Sequence, residues 1–83
     1  ERTAPLEIDV RGMTVDEAVM VIDLHLDDAI LSGRTQTTII HGKGTGALRA
    51  GVQEHLRHHP HVKSMRMGAY GEGDAGVTVV ELK

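Results

Sequence analysis

The chain lacks cysteine, phenylalanine and tryptophan, and Tyr70 is the one residue of the Phe, Trp and Tyr class. Without cysteine, neither a disulfide nor a thiolate zinc site can stabilise the fold. A core must therefore be built from Val, Ile, Leu, Ala and Met, within a hydrophobic fraction of 40%. That fraction is typical of a globular chain and excludes an extensively disordered one.

Long apolar runs are also missing. The longest spans only a handful of residues, far below the roughly 20 needed to cross a bilayer, and no signal-peptide pattern appears. We therefore expect a cytoplasmic location without a membrane partner. The length of 83 residues predicts one domain over residues 1–83, with an ordered core from about residue 6 to 83. Because the chain begins with Glu1 rather than Met, we expect it to be excised from a longer protein.

Hydrophobic periodicity predicts six elements in the order β-α-β-α-β-β. The expected strands are residues 6–11, 36–40, 62–67 and 77–82, and the expected helices are residues 15–32 and 45–58. Thr14 and Glu17 form a capping-box pattern before the first helix. Strand–helix alternation predicts an α/β two-layer sandwich, with two helices on a four-stranded mixed sheet. The first three strands should be parallel through right-handed crossovers, and the last two should form a hairpin.

Charge is distributed unevenly along the chain, although the net charge is only −3. Residues 1–33 carry a net charge of −6, whereas residues 34–67 carry +5. The basic middle segment predicts an anionic partner. The alternative is that the acidic and basic stretches pair with each other in the fold.

A glycine-rich turn between the second strand and the second helix gives the sharpest functional signal. Glycines permit close backbone approach, and the N-terminus of a helix attracts anions. Lys43 lies between the first two glycines, which excludes a Walker loop. The predicted nucleic-acid-binding residues are Gly42, Lys43, Gly44, Thr45, Gly46 and Arg49. The alternative is a tight turn without a ligand.

A set of polar residues is expected beside this turn. The C-terminal ends of adjacent parallel strands meet at one edge of a sheet, where α/β proteins place ligands. This predicts a catalytic set for phosphodiester cleavage, formed by Asp9, Arg11, His41 and Lys43. His41 would transfer a proton, the two cations would stabilise a pentacovalent phosphorane, and Asp9 would orient an imidazole or a water. The alternative is that His41 is a strand-end residue hydrogen-bonded to backbone.

Two further features allow more than one interpretation. His55 and His59 are spaced i, i+4, which suits either a zinc ligand pair or an extension of the basic face. Met20, Leu24 and Leu31 fall opposite the buried stripe of the first helix, which predicts an exposed apolar patch. That patch suits a docking surface, a dimer contact or scattered surface residues.

Over roughly residues 6–83 the chain resembles the Smr (small MutS-related) domain family. Ile8–Gly12 with Thr14, Glu17 and Ala18 is similar to its first motif, residues 41–49 to its second, and residues 76–82 to its end. Arg11 stands where stand-alone members usually carry histidine, and arginine there is typical of Smr domains in bacterial MutS-like proteins of the second subfamily. This departure puts in doubt any mechanism that requires two histidines.

The resemblance implies a fold similar to the C-terminal domain of translation initiation factor three. It also implies DNA nicking of low sequence specificity, in a protein that suppresses homologous recombination. A non-catalytic module that targets a parent ATPase to branched DNA, to ribosomal RNA or to stalled ribosomes is the alternative. Expected partners are thus DNA, ribosomal RNA or the ribosome, and preceding domains of the parent protein. No cofactor is required by the sequence, and Mg²⁺ or Mn²⁺ are the candidate ions.

Overall fold

The computed structural model describes residues 6–71 and 73–83, and its elements follow the predicted order. They are β1 (Glu7–Asp9), α1 (Val15–Leu31), β2 (Gln36–Ile40), α2 (Ala47–Arg57), β3 (Val62–Met67) and β4 (Val77–Leu82), with a short 3-10 turn at Asp74–Gly76. The α/β class with a four-stranded mixed sheet and two helices is confirmed. β2, β3 and β4 have the predicted bounds, whereas β1 and α2 are shorter than expected.

The strands are arranged in the order β1-β2-β4-β3. β1 pairs with β2 in parallel, and β4 runs antiparallel to both β2 and β3. The first three strands therefore share one direction, and β3 and β4 form the predicted hairpin. The loops that follow β1, β2 and β3 consequently gather at one edge of the sheet, which is the edge that carries the candidate site.

The hydrophobic core lies between the helices and one face of the sheet. Its fully buried residues come from α1, α2, the two central strands and the segment after β1: Val10, Ala18, Ile22, Leu26, Ala29, Ile39, Val52, Leu56 and Val80. Gly51 lets the two helices approach each other, because a Cβ at this position would lie 2.7 Å from Cγ2 of Val15. Aliphatic packing thus replaces the aromatic residues that the sequence lacks.

The first helix begins and ends as predicted. The backbone N–H of Glu17 donates to the Thr14 hydroxyl at 3.2 Å, and the N–H of Thr14 donates to the Glu17 carboxylate at 2.9 Å. This capping box satisfies two of the amide groups at the start of the helix. The predicted apolar patch is present on its outer face, where Met20 and Leu24 are each 69% exposed and Leu31 is 85% exposed.

β1 ends earlier than the periodicity predicted because the Asp9 side chain turns the chain. Its Oδ1 accepts a hydrogen bond from the backbone N–H of Arg11 at 3.0 Å, a local arrangement that competes with continued strand. Gly12 follows with φ +82°. The turn directs Gly12 and Met13 toward the β2–α2 loop, where they border the candidate site.

His25 is a buried histidine that links α1 to β2. The Thr37 hydroxyl donates to the carbonyl of Leu6 at 2.9 Å, so at 2.6 Å it accepts from Nε2–H of His25. Burial lowers the pKa of His25 below its ordinary value of 6.5; the nearby Asp28 opposes this shift and Arg34 adds to it. The folded state therefore favours the neutral imidazole.

This pKa shift predicts a loss of stability in mild acid. Below about pH 6.5 the unfolded chain protonates His25 more readily than the folded chain, so unfolding takes up a proton and the free energy of unfolding falls. Denaturant melts between about pH 7.5 and 5.5 should show this fall, and His25→Gln should reduce it. His58→Gln is the matched control, because His58 is exposed and paired with Glu54. An unchanged pH dependence in His25→Gln would contradict the assignment.

Candidate anion-binding site at the β2–α2 loop

Residues 41–46 form a loop that is anchored to the start of β4. The backbone N–H groups of His41 and Gly42 both donate to the carbonyl of Gly76, at 3.1 and 2.9 Å. Gly42 has φ +81° and Gly46 has φ +87°, a region that side chains other than glycine rarely adopt. The glycines are therefore required by the path of the loop as well as by access to a ligand.

The N-terminus of α2 differs from that of α1. Its N-cap is Gly46, no side-chain hydrogen bond caps it there, and its first turn has no acidic residue. The Thr45 hydroxyl accepts from the N–H of Ala47 at 3.3 Å. In α1 the carboxylate of Glu17 accepts the N–H of the N-cap residue Thr14. The first turn of α2 has no carboxylate, so the positive end of its helix dipole faces the loop without a negative charge from the helix itself. Such a helix end suits an anion from outside the chain.

A depression of about 260 Å³ lies over this helix end. It is lined by Gly12, Met13, His41, Gly42, Lys43, Gly44, Thr45, Gly46, Leu48 and Arg49. The Arg49 guanidinium folds back over the loop, because its Nη2 lies 3.4 Å from where a Cβ on Gly46 would stand. Within residues 6–71 and 73–83, neither Lys43 nor Arg49 forms an ion pair. All six predicted nucleic-acid-binding residues therefore line one depression with two uncompensated cations.

Asp9 and Arg11 form a tight pair at the border of the depression rather than in its lining. The guanidinium donates from Nε and Nη2 to the carboxylate, with the shortest distance 2.6 Å. These hydrogen bonds hold the pKa of Asp9 at about 2, and the carboxylate in turn raises the pKa of Arg11. The Arg11 stem packs on Gly42, where an added Cβ would lie 3.3 Å from Cγ of Arg11. The carboxylate thus orients an arginine, whereas the sequence suggested that it would orient an imidazole or a water.

His41 lies beneath the loop and is 5% exposed. Its Nδ1 is 2.9 Å from the carbonyl oxygen of Gly42, and its Nε2 is 2.8 Å from the Thr78 hydroxyl. Both ring nitrogens are therefore engaged. The structure brings His41 and Lys43 to the same loop, as expected, but it gives the imidazole backbone and hydroxyl partners.

Sequence reasoning missed three residues around the site, namely Gln53, Gly76 and Thr78. Gln53 donates from Nε2 to the Thr78 hydroxyl at 3.0 Å, and Gly76 supplies the carbonyl that anchors the loop. Thr78 faces Ile39 across the β2–β4 ladder. No local pattern indicates these roles, because they depend on β4 pairing next to β2.

His55 and His59 both contact Asp23 on α1. Nε2 of His55 lies 2.7 Å and Nε2 of His59 lies 3.4 Å from Oδ1 of Asp23. Nδ1 of His59 accepts the N–H of His61, so the proton of the neutral ring is on Nε2, the nitrogen that a metal would need. In the part of the chain that the structure describes, no group of three or more His, Cys, Asp or Glu residues is arranged to hold a metal ion. The His55–His59 pair therefore connects α2 to α1.

The β3–β4 loop lies at the same edge of the sheet and contains backbone hydrogen bonds of its own. The N–H of Gly68 donates to the carbonyl of Asp74 at 3.1 Å, and the segment closes with the 3-10 turn. Tyr70 projects from this loop and is 96% exposed. Glu72, which the sequence places here, lies outside the described residues. No helix among the described residues is long and apolar enough to cross a membrane.

Fold and site together define a small α/β domain with a depression, lined by two cations, at a helix N-terminus. The model of the Smr domain matches residues 8–83. The chain therefore belongs to the Smr domain family, as the sequence motifs indicated.

Curated relatives with high identity are named Endonuclease MutS2. The chain is 64% identical over 77 residues, 93% of its length, to that of Ruminiclostridium cellulolyticum. It is 59% identical over all 83 residues to that of Caldicellulosiruptor bescii. In both cases it spans about 10% of the relative's length.

Solved structures show the same architecture. The crystal structure of the Smr domain of Thermus thermophilus MutS2 matches with a TM-score of 0.91 and 44% identity, covering 95% of this chain and 99% of that one. YdaL, a stand-alone small MutS-related protein from Escherichia coli, matches with a TM-score of 0.87 at 21% identity, covering 94% and 64% of the respective chains. The second match shows the fold alone.

Proposed function

We propose that this domain binds the phosphate backbone of DNA at the β2–α2 loop and nicks it with low sequence specificity. The observation that carries the proposal is the depression in which Lys43 and Arg49 lie beside the end of α2, whose N-cap residue is a glycine. Cations and helix N-termini are the groups that hold phosphate oxygens in proteins. The endonuclease name of the MutS2 relatives supports the choice of reaction.

Hydrolysis of a DNA phosphodiester adds a water oxygen to phosphorus and breaks the bond to one deoxyribose oxygen. The attacking water loses a proton, and the leaving oxygen gains one. Negative charge accumulates on the phosphoryl oxygens as the reaction proceeds, so preorganised cations lower the barrier. Lys43 and Arg49 are placed for this task, and Arg11, held by Asp9, lies beside them. A proton transfer by His41 requires one of its two hydrogen bonds to open. The carboxylate of Asp9, at the border of the depression, is bound by Arg11.

Within a longer MutS-like protein, the domain would deliver this activity to DNA selected by the preceding domains. Branched DNA that arises during recombination is the substrate that fits a suppressor of recombination. Because the proposed ligand is nucleic acid, the proposal also includes a cytoplasmic location for the protein.

The test is the conversion of supercoiled plasmid to the nicked circle by the 83-residue chain. We expect nicking by the wild type and at least a tenfold lower rate for Lys43→Ala with Arg49→Ala, since two charge-stabilising groups are removed. Lys63→Ala controls for the loss of positive charge, because Lys63 lies near the start of β3 and the site lies at the edge of the sheet where β3 ends. Reactions with and without Mg²⁺ or Mn²⁺ determine the metal requirement.

Two outcomes would overturn the nuclease proposal. One is the absence of nicking under every metal condition, and the other is equal nicking by the double variant, which would indicate a contaminating nuclease. Retained binding without nicking would favour the second candidate, a non-catalytic module for DNA or ribosomal RNA. The basic depression favours that candidate too, because phosphate is common to both nucleic acids.

A further inference from the structure

A hydrogen-bonded chain runs beneath the anion-binding loop and connects α2, β4 and the loop itself. Nε2 of Gln53 donates to the Thr78 hydroxyl at 3.0 Å, Thr78 is 2.8 Å from Nε2 of His41, and Nδ1 of His41 is 2.9 Å from the carbonyl of Gly42. Thr78 is fully buried and His41 nearly so. Buried polar groups in such a chain must each be satisfied, so their donors and acceptors can be assigned.

The direction of the chain follows from the Gly42 carbonyl, which can only accept. Nδ1 of His41 therefore carries a proton, and Nε2 of the neutral ring is the acceptor. The Thr78 hydroxyl donates to this nitrogen, and its oxygen accepts from Gln53. Every hydrogen bond of the series thus has one donor and one acceptor, and the tautomer of His41 is fixed by its neighbours.

Both backbone polar groups of Gly42 are held by hydrogen bonds. The N–H of Gly42 donates to the carbonyl of Gly76 at 2.9 Å, and its own carbonyl accepts from His41. The two peptide groups that flank Gly42 are therefore each held by one hydrogen bond, and the second of them leads into Lys43. The Lys43 stem packs on Gly76, where an added Cβ would lie 3.6 Å from Cγ of Lys43. The direction in which Lys43 leaves the loop is set by these contacts.

We propose that Thr78 and Gln53 are positioning residues for the anion-binding loop, and that His41 is the link through which they act rather than a proton-transfer group at the phosphate. The inference rests on the proposed function in so far as the loop binds phosphate. The hydrogen-bonded chain itself exists in the free protein and can be tested without a ligand.

The first test is the protonation state of the His41 ring, measured by nitrogen-15 NMR on the labelled 83-residue chain. We expect a protonated Nδ1 and a non-protonated Nε2 in the wild type. Thr78→Ser keeps the hydroxyl and should preserve this tautomer. Thr78→Val removes the partner of Nε2, so the ring should become a mixture of tautomers and the amide signals of residues 42–46 should shift. A protonated Nε2 in the neutral wild-type ring would overturn the proposal even if the valine variant did not fold.

The second test is affinity for a fluorescein-labelled DNA duplex. Loss of one buried hydrogen bond in Thr78→Val should weaken binding roughly fivefold, and Gln53→Leu should weaken it by less. The slope of affinity against salt should stay unchanged, because no charge is removed. Thr37→Val is the matched control: Thr37 is also buried and hydrogen-bonded to a histidine, but it lies at the far end of β2. An equal loss in Thr37→Val, or none in Thr78→Val, would refute the positioning role.

A pH profile separates positioning from proton transfer. If His41 only positions the loop, protonation of Nε2 breaks the hydrogen bond from Thr78 and should change DNA affinity and nicking rate with the same pH midpoint, and Thr78→Ser should follow the wild type. An inflection in the nicking rate at saturating DNA, without a matching change in DNA affinity, would instead establish proton transfer. Failure of the proposed function can be distinguished from failure of this inference. A protein that neither binds nor nicks DNA still allows the His41 tautomer and the amide signals of the loop to be measured by NMR.

Discussion

Replacing Lys43 and Arg49 by alanine is expected to weaken DNA binding by roughly tenfold to a hundredfold at low salt. Both side chains line the depression, and neither is neutralised by a carboxylate within the described chain. A phosphate held there would lose two charged donors at once. The loss should be nearly uniform across duplex sequences, because phosphate contacts carry no base information.

The salt dependence gives this prediction its quantitative form. Each lost phosphate contact reduces the slope of log affinity against log salt by about 1, so the double variant should bind with a slope less steep by about 2. Fluorescence anisotropy across a salt titration measures both quantities. Lys63→Ala should change the affinity far less, since Lys63 lies near the start of β3, away from the strand ends that carry the loop. Equal slopes for wild type and double variant would show that the nucleic acid binds elsewhere.

Ile22→Ala should lower the free energy of unfolding by about 3 kcal/mol. Ile22 is fully buried in the single core cluster, between α1 and the sheet. Truncation leaves a cavity that aliphatic neighbours with few rotamers fill only partly. In a domain of this size such a loss is a large part of the total stability.

Leu24→Ala is the matched control for Ile22→Ala. It removes the same number of carbon atoms two positions along the same helix, but Leu24 is 69% exposed. We expect a change within about 0.5 kcal/mol, measured by urea denaturation monitored through far-UV circular dichroism. A large loss in Leu24→Ala would show that its outer-face contacts contribute to the fold, contrary to its exposure.

The two helices and the strand order along the chain could be predicted because local patterns determine them. The capping box of Thr14 and Glu17 and the β-branched residues of 36–40 are local signals. The end of β1 could not be predicted from periodicity, since the Asp9 carboxylate turns the chain at Arg11. A polar side chain that hydrogen-bonds its own backbone overrides an alternating pattern.

The same distinction applies to the site. The glycines and cations of the loop are adjacent in sequence and were identified together, whereas the partners of His41 come from α2 and β4. The insertion of β4 between β2 and β3 brings Thr78 under the loop. Sequence alone offered only a generic alternative for His41, namely a hydrogen bond to backbone. The structure adds the second partner, which makes the tautomer assignable.

The position of β4 has a consequence for how the chain folds. β4 pairs with both β2 and β3, so β3 has no strand partner until the last strand of the chain is in place. Pairings between residues 36–40 and 77–82 also close a long stretch of chain, which raises the contact order and slows folding. During synthesis, β1 to β3 and both helices emerge before the strand that unites them. The nascent domain should therefore stay unfolded until β4 is free of the ribosome, and it should then fold in one cooperative step.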